Sequence, residues 1–140
     1  MNALDVSRLQ QDADSYYVIA SGGDDNAISL HVIHHKQHND DDSEFELCSK
    51  LSLPSYHASQ IVDVRLSSNT CNSDVTMLTL SIDQRLICWR VGFDGVQLAS
   101  CDMITSKFVH VADPSTLCVR GNRVVVTGIG LWYGEMKTTS

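Results

Sequence analysis

Thr79, His57 and Asp83 carry the groups of a nucleophile, a base and an orienting acid. A hydroxyl beside an imidazole that is itself beside a carboxylate can attack a carbonyl, but only where the hydroxyl is exposed next to an oxyanion site. No Gly-x-Ser-x-Gly elbow or comparable strained turn supplies one in this chain. Trp89 gives the same residues another use. An indole only donates, a hydroxyl donates and accepts, an imidazole does both and a carboxylate accepts, so the four side chains can satisfy one another when buried. The residue types therefore allow one hydrogen-bonded chain of His57, Thr79, Asp83 and Trp89, with a hydrolase built on the Thr/His/Asp group as the alternative.

Two other groups invite a chemical reading. His34, His35 and His38, with Asp40, Asp41 and Asp42, have ligand chemistry suited to zinc. They sit in a polar insertion that lacks the rigid support a metal site needs, so a solvated surface loop with no metal is expected. Gly22-Gly23 and Gly128-Ile129-Gly130 could cradle a phosphate, but neither leads into a helix or a P-loop Lys, and turn geometry accounts for them. His110 and Trp132 are expected to be an ordinary structural His and a packed Trp, and no cofactor is expected.

The elements that must position these residues repeat along the chain. Asn2-Ala3-Leu4-Asp5-Val6 returns as Gln60-Ile61-Val62-Asp63-Val64, and the segment around Asp25 returns around Asp83. Both pairs share one offset, since 63 − 5 = 58 and 83 − 25 = 58. A constant period marks stacked units that cannot bury their apolar faces alone.

Apolar stretches are short, rich in Val, Ile, Leu and Tyr, and broken by Gly, Asn and Asp, which predicts strands and no amphipathic helix. Eleven strands are expected: Ala3 to Val6, Tyr16 to Ser21, Ala27 to Ile33, Phe45 to Leu53, Ile61 to Leu66, Val75 to Leu80, Arg85 to Gly92, Leu98 to Ile104, Leu117 to Arg120, Arg123 to Thr127 and Leu131 to Met136. Ile87, Trp89 and Val91 alternate against Leu86 and Cys88, so that strand should lie between two layers, while Phe45, Leu47, Leu51 and Leu53 should share one face. Asp25-Asn26 and Asp83-Gln84 suit turns that need left-handed backbone. The polar run 34–46 holds five acids against one Lys and is expected to project as a mobile loop. The units run over about 1–53, 54–104 and 105–140, the last degenerate: with Leu131 placed on Leu86, Gly128 and Gly134 fall where Asp83 and Trp89 would be.

The chain has 140 residues, 43% of them hydrophobic, enough for a core. Its formal net charge of −7, with ten scattered Lys and Arg, disfavours direct nucleic-acid binding. Five cysteines with no Cys-x-x-Cys spacing disfavour a disulfide framework and a thiolate zinc site, and a reducing compartment is the simpler reading. No apolar leader or bilayer-length run is present.

On His57, Thr79-Leu80-Ser81-Ile82-Asp83 and Leu86-Ile87-Cys88-Trp89-Arg90, the sequence resembles the WD-repeat family of β-propellers, in which the same four residue types form a structural tetrad. The first unit keeps Ser21 and Asp25 as a partial tetrad but has His31 where Trp89 stands. The resemblance implies an all-β fold of about two complete four-stranded blades and a partial one, a C-terminal portion of a longer propeller whose remaining blades complete it. The stretch Ser81 to Gly92 is further similar to the WD-repeat subunits that regulate the 2′-O-methyltransferase of the tRNA wobble position 34. That implies a cytoplasmic, non-catalytic scaffold whose partner is the tRNA methyltransferase, with tRNA held through the complex. An adaptor for trafficking or ubiquitin machinery is the alternative.

Overall fold

The structure, a computed structural model, describes residues 3–11, 14–23, 26–39, 42–53, 57, 59–68 and 75–136. The strands are β1 (Ala3–Gln11), β2 (Asp14–Gly22), β3 (Ile28–Asn39), β4 (Asp42–Leu53), β5 (Ile61–Ser68), β6 (Val75–Ser81), β7 (Arg85–Asp94), β8 (Gln97–Phe108), β9 (Ala112–Arg120) and β10 (Arg123–Glu135). They form three antiparallel sheets, ordered β1-β2-β3-β4, β5-β6-β7-β8 and β10-β9, each a meander of sequence neighbours. Among the described residues no helix is long and apolar enough to cross a membrane.

The second sheet is the middle layer. Period-2 alternation sends Val75 and Met77 of β6, with Ile87, Trp89 and Val91 of β7, against Val18, Ala20, Leu30 and Val32 of the first sheet. The intervening residues Leu78, Leu80, Leu86 and Cys88 pack on Leu117, Val124 and Val126 of the third sheet. The double alternation in β7 thus has the two apolar faces its sequence requires, and sheet 2 is covered on both sides.

The 58-residue period is written into the backbone. Asn26 and Gln84, one period apart (84 − 26 = 58), both have positive φ, 63° and 69°. Their amides bond back to Gly23 O at 3.3 Å and Ser81 O at 3.0 Å, again one period apart. Left-handed backbone at a non-glycine residue is uncommon, so its recurrence marks the same turn built twice. Gly22 closes the gap between the sheets: a Cβ there would lie 2.6 Å from Ile61 Cγ2, so close packing, and not a turn, explains this glycine.

Two expectations are corrected. Residues 34–46 do not form a loop, because β3 runs to Asn39 and β4 starts at Asp42 in one long hairpin. His34 stacks on Tyr16 (4.4 Å), His35 on Phe45 (4.8 Å), and Lys36 pairs with Glu46, so aromatic and ionic cross-strand pairs stabilise strands that lack a core. Phe45 and Leu47 do not share a face with Leu51 and Leu53. The register of β4 against β3 slips between Val32/Ser49 and Ile33/Leu47, and this one-residue bulge turns Phe45 and Leu47 outward, 61% and 57% exposed. Arg123 to Thr127 and Leu131 to Glu135 fall in one continuous run, β10, and Met136 follows its end.

β10 nevertheless doubles back. Thirteen extended residues would span about 43 Å, yet Met136 N donates to Asn122 O at 2.9 Å across its ends. The corner is Gly128-Ile129-Gly130, where Gly130 takes φ 110°. One arm, residues 123–127, pairs with β9, and the other, residues 131–135, leads back to Met136 beside Asn122. The second sheet extends to Phe108, beyond the unit boundary expected near residue 104.

Candidate functional site

Thr79 lies on β6 with its neighbours Leu78 and Leu80 turned to the third sheet, which sends its own hydroxyl toward the first. Trp89 lies on β7 on the same face, packed in the cluster that joins sheets 1 and 2. Its Nε1–H donates to Thr79 Oγ1 at 2.9 Å. The same hydroxyl bonds His57 Nε2, 2.7 Å away. Thr79, Trp89 and His57 are 0%, 1% and 2% exposed.

The Asp83 carboxylate facing Nδ1 favours the tautomer with the ring proton on Nδ1, which leaves Nε2 to accept from Thr79. Nδ1 faces Asp83 Oδ1 at 4.0 Å, beyond hydrogen-bond reach, and has no hydrogen-bond partner among the described residues. Burial pushes the imidazole pKa down from 6.5 to about 4, against the opposing pull of the Asp83 carboxylate. The ring is therefore neutral at pH 7 and is held as a wedge between strands.

Asp83 sits in the β6–β7 turn and fixes it. Its Oδ1 accepts from the Ser81 hydroxyl and from Arg85 N at 3.2 Å. The structure thus brings His57, Thr79 and Trp89 into direct contact and places Asp83 one step away, joined to the turn through Ser81. Ser81, fully buried, was not among the expected site residues. Its place two residues after Thr79 and two before Asp83 on an alternating strand was the available signal.

Among the described residues the first unit shows no matching chain of side-chain bonds. Ser21 is half-buried and pairs with Leu4 and Ser29, while Asp25 lies outside the described residues. His31, half-buried, stands opposite Ile19 and Lys50. In the third unit the Trp132 ring lies so close to Gly134 that a Cβ there would sit 2.8 Å from it. His110 meets Phe108 edge-on at 4.6 Å.

A second constellation escaped the sequence reading. Asp63, known there only as a repeat marker, accepts from Val64 N (2.9 Å), Leu117 N (2.8 Å) and Arg65 Nη1 (3.0 Å). Arg65 Nε in turn donates to Leu117 O at 3.1 Å, so β5 grips both backbone groups of one residue on β9. One period earlier, Asp5 Oδ2 accepts from Leu66 N at 2.7 Å. Each of these carboxylates ties the first strand of its sheet to the first strand of the next, through charge-assisted bonds. Asp5-x-x and Asp63-x-x at a fixed offset was the visible hint, but sequence alone does not reveal a bond that crosses between sheets.

The arrangement cannot readily attack a substrate. The Thr79 hydroxyl is sealed from solvent with a partner on either side, and a nucleophile needs an open approach. Among the described residues, no three His, Cys, Asp or Glu side chains form a metal-binding group. His34 and His35 are taken up in ring stacking, whereas the side chains of His38 and Asp42, and all of Asp40 and Asp41, lie outside the description. Cys48, Cys88, Cys101 and Cys118 are free thiols, and burial raises Cys88 to about 11 and Cys101 to about 12, leaving both inert at neutral pH. A scan against protein-family models and a search of curated proteins returned no match for this chain.

Proposed function

We propose that this chain is an arc of a WD-type β-propeller and serves as a non-catalytic scaffold. One observation carries the reading: a buried Thr79 hydroxyl bridges the Trp89 indole and the His57 imidazole inside a sheet covered on both faces. The residue types and spacing are those of the WD-repeat tetrad, and this geometry uses them to hold strands together. The successive first strands β1, β5 and β9 pack side by side, as strands lining a central axis would. The degenerate third unit has Gly128 and Gly134 at the Asp83 and Trp89 positions, with the Trp132 ring against Gly134.

The partner follows from the similarity of Ser81 to Gly92 to regulatory subunits of the tRNA wobble-ribose methyltransferase. On this reading the scaffold works in the cytoplasm, binds the methyltransferase and helps present tRNA to it, while the methyl donor and the chemistry stay with the enzyme. The acidic balance of the chain agrees with an indirect contact to tRNA. Deleting the gene and measuring 2′-O-methylation at tRNA position 34 tests this: the modification should fall, and a methyltransferase should co-purify with the intact protein. Unchanged methylation with no co-purifying methyltransferase would leave the scaffold without this partner.

A further inference from the structure

Three donors converge on one oxygen in the β6–β7 turn. Asp83 Oδ1 accepts from the Ser81 hydroxyl and from Arg85 N at 3.2 Å, and His57 Nδ1 faces it at 4.0 Å. A carboxylate oxygen offers two lone-pair sites, so both sites of Oδ1 are taken and the third donor is left over. That donor is enclosed: Nδ1 is buried and has no hydrogen-bond partner among the described residues. A shift of about 1 Å would bring Oδ1 within reach of it. The Asp83 side chain, 19% exposed in its turn, makes such a shift by rotation, with the strands in place.

The Ser81 hydroxyl is not needed to build the turn. One period earlier Gly23 stands at its position (81 − 58 = 23), and Gly23 O still accepts from Asn26 N as Ser81 O does from Gln84 N. Its use lies with Asp83. Ser81 is as buried as His57, so moving the carboxylate beside a neutral ring exchanges one orphan for another: Nδ1 gains the bond that Ser81 Oγ loses. A proton on the ring breaks this tie, because a bond between a cation and a carboxylate is stronger than one donated by a hydroxyl.

We propose that Asp83 is a side chain with two stations: the Ser81 hydroxyl keeps it on the turn while His57 is neutral, and it crosses to His57 Nδ1 when the ring takes a proton or when the hydroxyl is removed. Ser81 is then a positioning residue that keeps the ring inside the middle sheet uncharged. The charged groups acting on the ring are Asp83, which favours protonation, and Arg85 at the start of β7, which opposes it. Thr79 of β6 and Trp89 of β7, the side chains of the same chain of bonds, carry no charge. The crossing sets a carboxylate directly against the ring with only Arg85 to offset it. The device stands on these bonds alone, whichever partner the scaffold has.

Long-range proton–nitrogen NMR of the His57 ring on the full 140-residue chain, from about pH 7 to about pH 4, reads the crossing. In Ser81→Ala the pH of half-protonation should rise by about 1–2 units over wild type, and the Nδ1 proton should move downfield at pH 7 as it gains an acceptor. Ser81→Gly copies the first unit and is the second route to the same loss, with the same rise expected. Water entering a loosened pocket would also raise the midpoint, so the carboxylate is removed in turn: Ser81→Ala with Asp83→Asn should titrate no higher than Asp83→Asn alone. A rise that persists without the carboxylate would overturn the crossing. A midpoint unchanged in both Ser81 variants would overturn it too, since the hydroxyl would then not be what holds Asp83 back.

Discussion

Replacing Thr79 by Val removes one oxygen and keeps the volume of the side chain, so any cost is electrostatic and not a cavity. That oxygen serves two buried groups, accepting from Trp89 Nε1 at 2.9 Å and donating to His57 Nε2 at 2.7 Å. Neither can turn to water, since both residues are almost fully buried. An orphaned buried polar group costs about 1–3 kcal/mol, so two together cost about 4 kcal/mol. A small domain is stable by about 5–15 kcal/mol, and with a urea dependence of about 2 kcal/mol per molar the midpoint should drop by about 2 M. Thr76→Val, half-buried on the same strand, is the control and should stay within about 0.5 kcal/mol. Trp89→Phe removes one of the two orphans in advance, so in a double-mutant cycle Thr79→Val should cost about 1–2 kcal/mol less in that background. A Thr79→Val protein as stable as wild type, or strictly additive with Trp89→Phe, would refute the bridging role.

Three further outcomes follow from the same geometry. Because burial lowers the folded-state pKa of His57 to about 4, the unfolded chain binds a proton that the folded chain does not between that value and 6.5; stability is intact above about pH 6.5 and lost as pH falls toward 4, by at most about 3 kcal/mol. Urea midpoints at pH 7 and 4.5 should therefore differ more in wild type than in His57→Gln, and equal shifts would contradict the assignment. Asp63→Asn leaves one acceptor oxygen for bonds now shared among Val64 N, Leu117 N and Arg65, and should cost about 1.5–3 kcal/mol with faster amide exchange at Leu117; unchanged exchange there would remove the latch from the account. Gly22→Ala drives a Cβ into Ile61 and should lower stability by about 1–3 kcal/mol, relieved in part by Ile61→Val, and a neutral effect would mean the sheets can part at no cost.

The strands were legible because their signals are local. Short alternating apolar runs bounded by Asp, Asn and Gly fall close to the strands found, and the two-sided alternation of β7 announced a middle layer. What sequence hid was register. The slip beside Ser49 turned Phe45 and Leu47 outward, and nothing in their spacing distinguishes a bulge from a regular strand. The polar run 34–46 lacks a core signal, yet cross-strand rings and an ion pair keep it paired, a contribution that composition does not display. Of the site, His57, Thr79 and Trp89 were visible through their residue types, while Ser81 was masked by its ordinariness. The Asp63 and Asp5 latches needed the positions of the neighbouring sheets, 54 and 61 residues away along the chain.

The central claim is that the Thr79 hydroxyl holds His57 and Trp89 in one buried, uncharged chain of bonds. Long-range proton–nitrogen NMR of the His57 ring addresses it in a single spectrum series from pH 7 to pH 5, since the two ring nitrogens report tautomer and charge separately. The account predicts a neutral ring throughout, with the proton on Nδ1 and an accepting Nε2. A ring that becomes doubly protonated near pH 6.5, or carries its proton on Nε2, would contradict it.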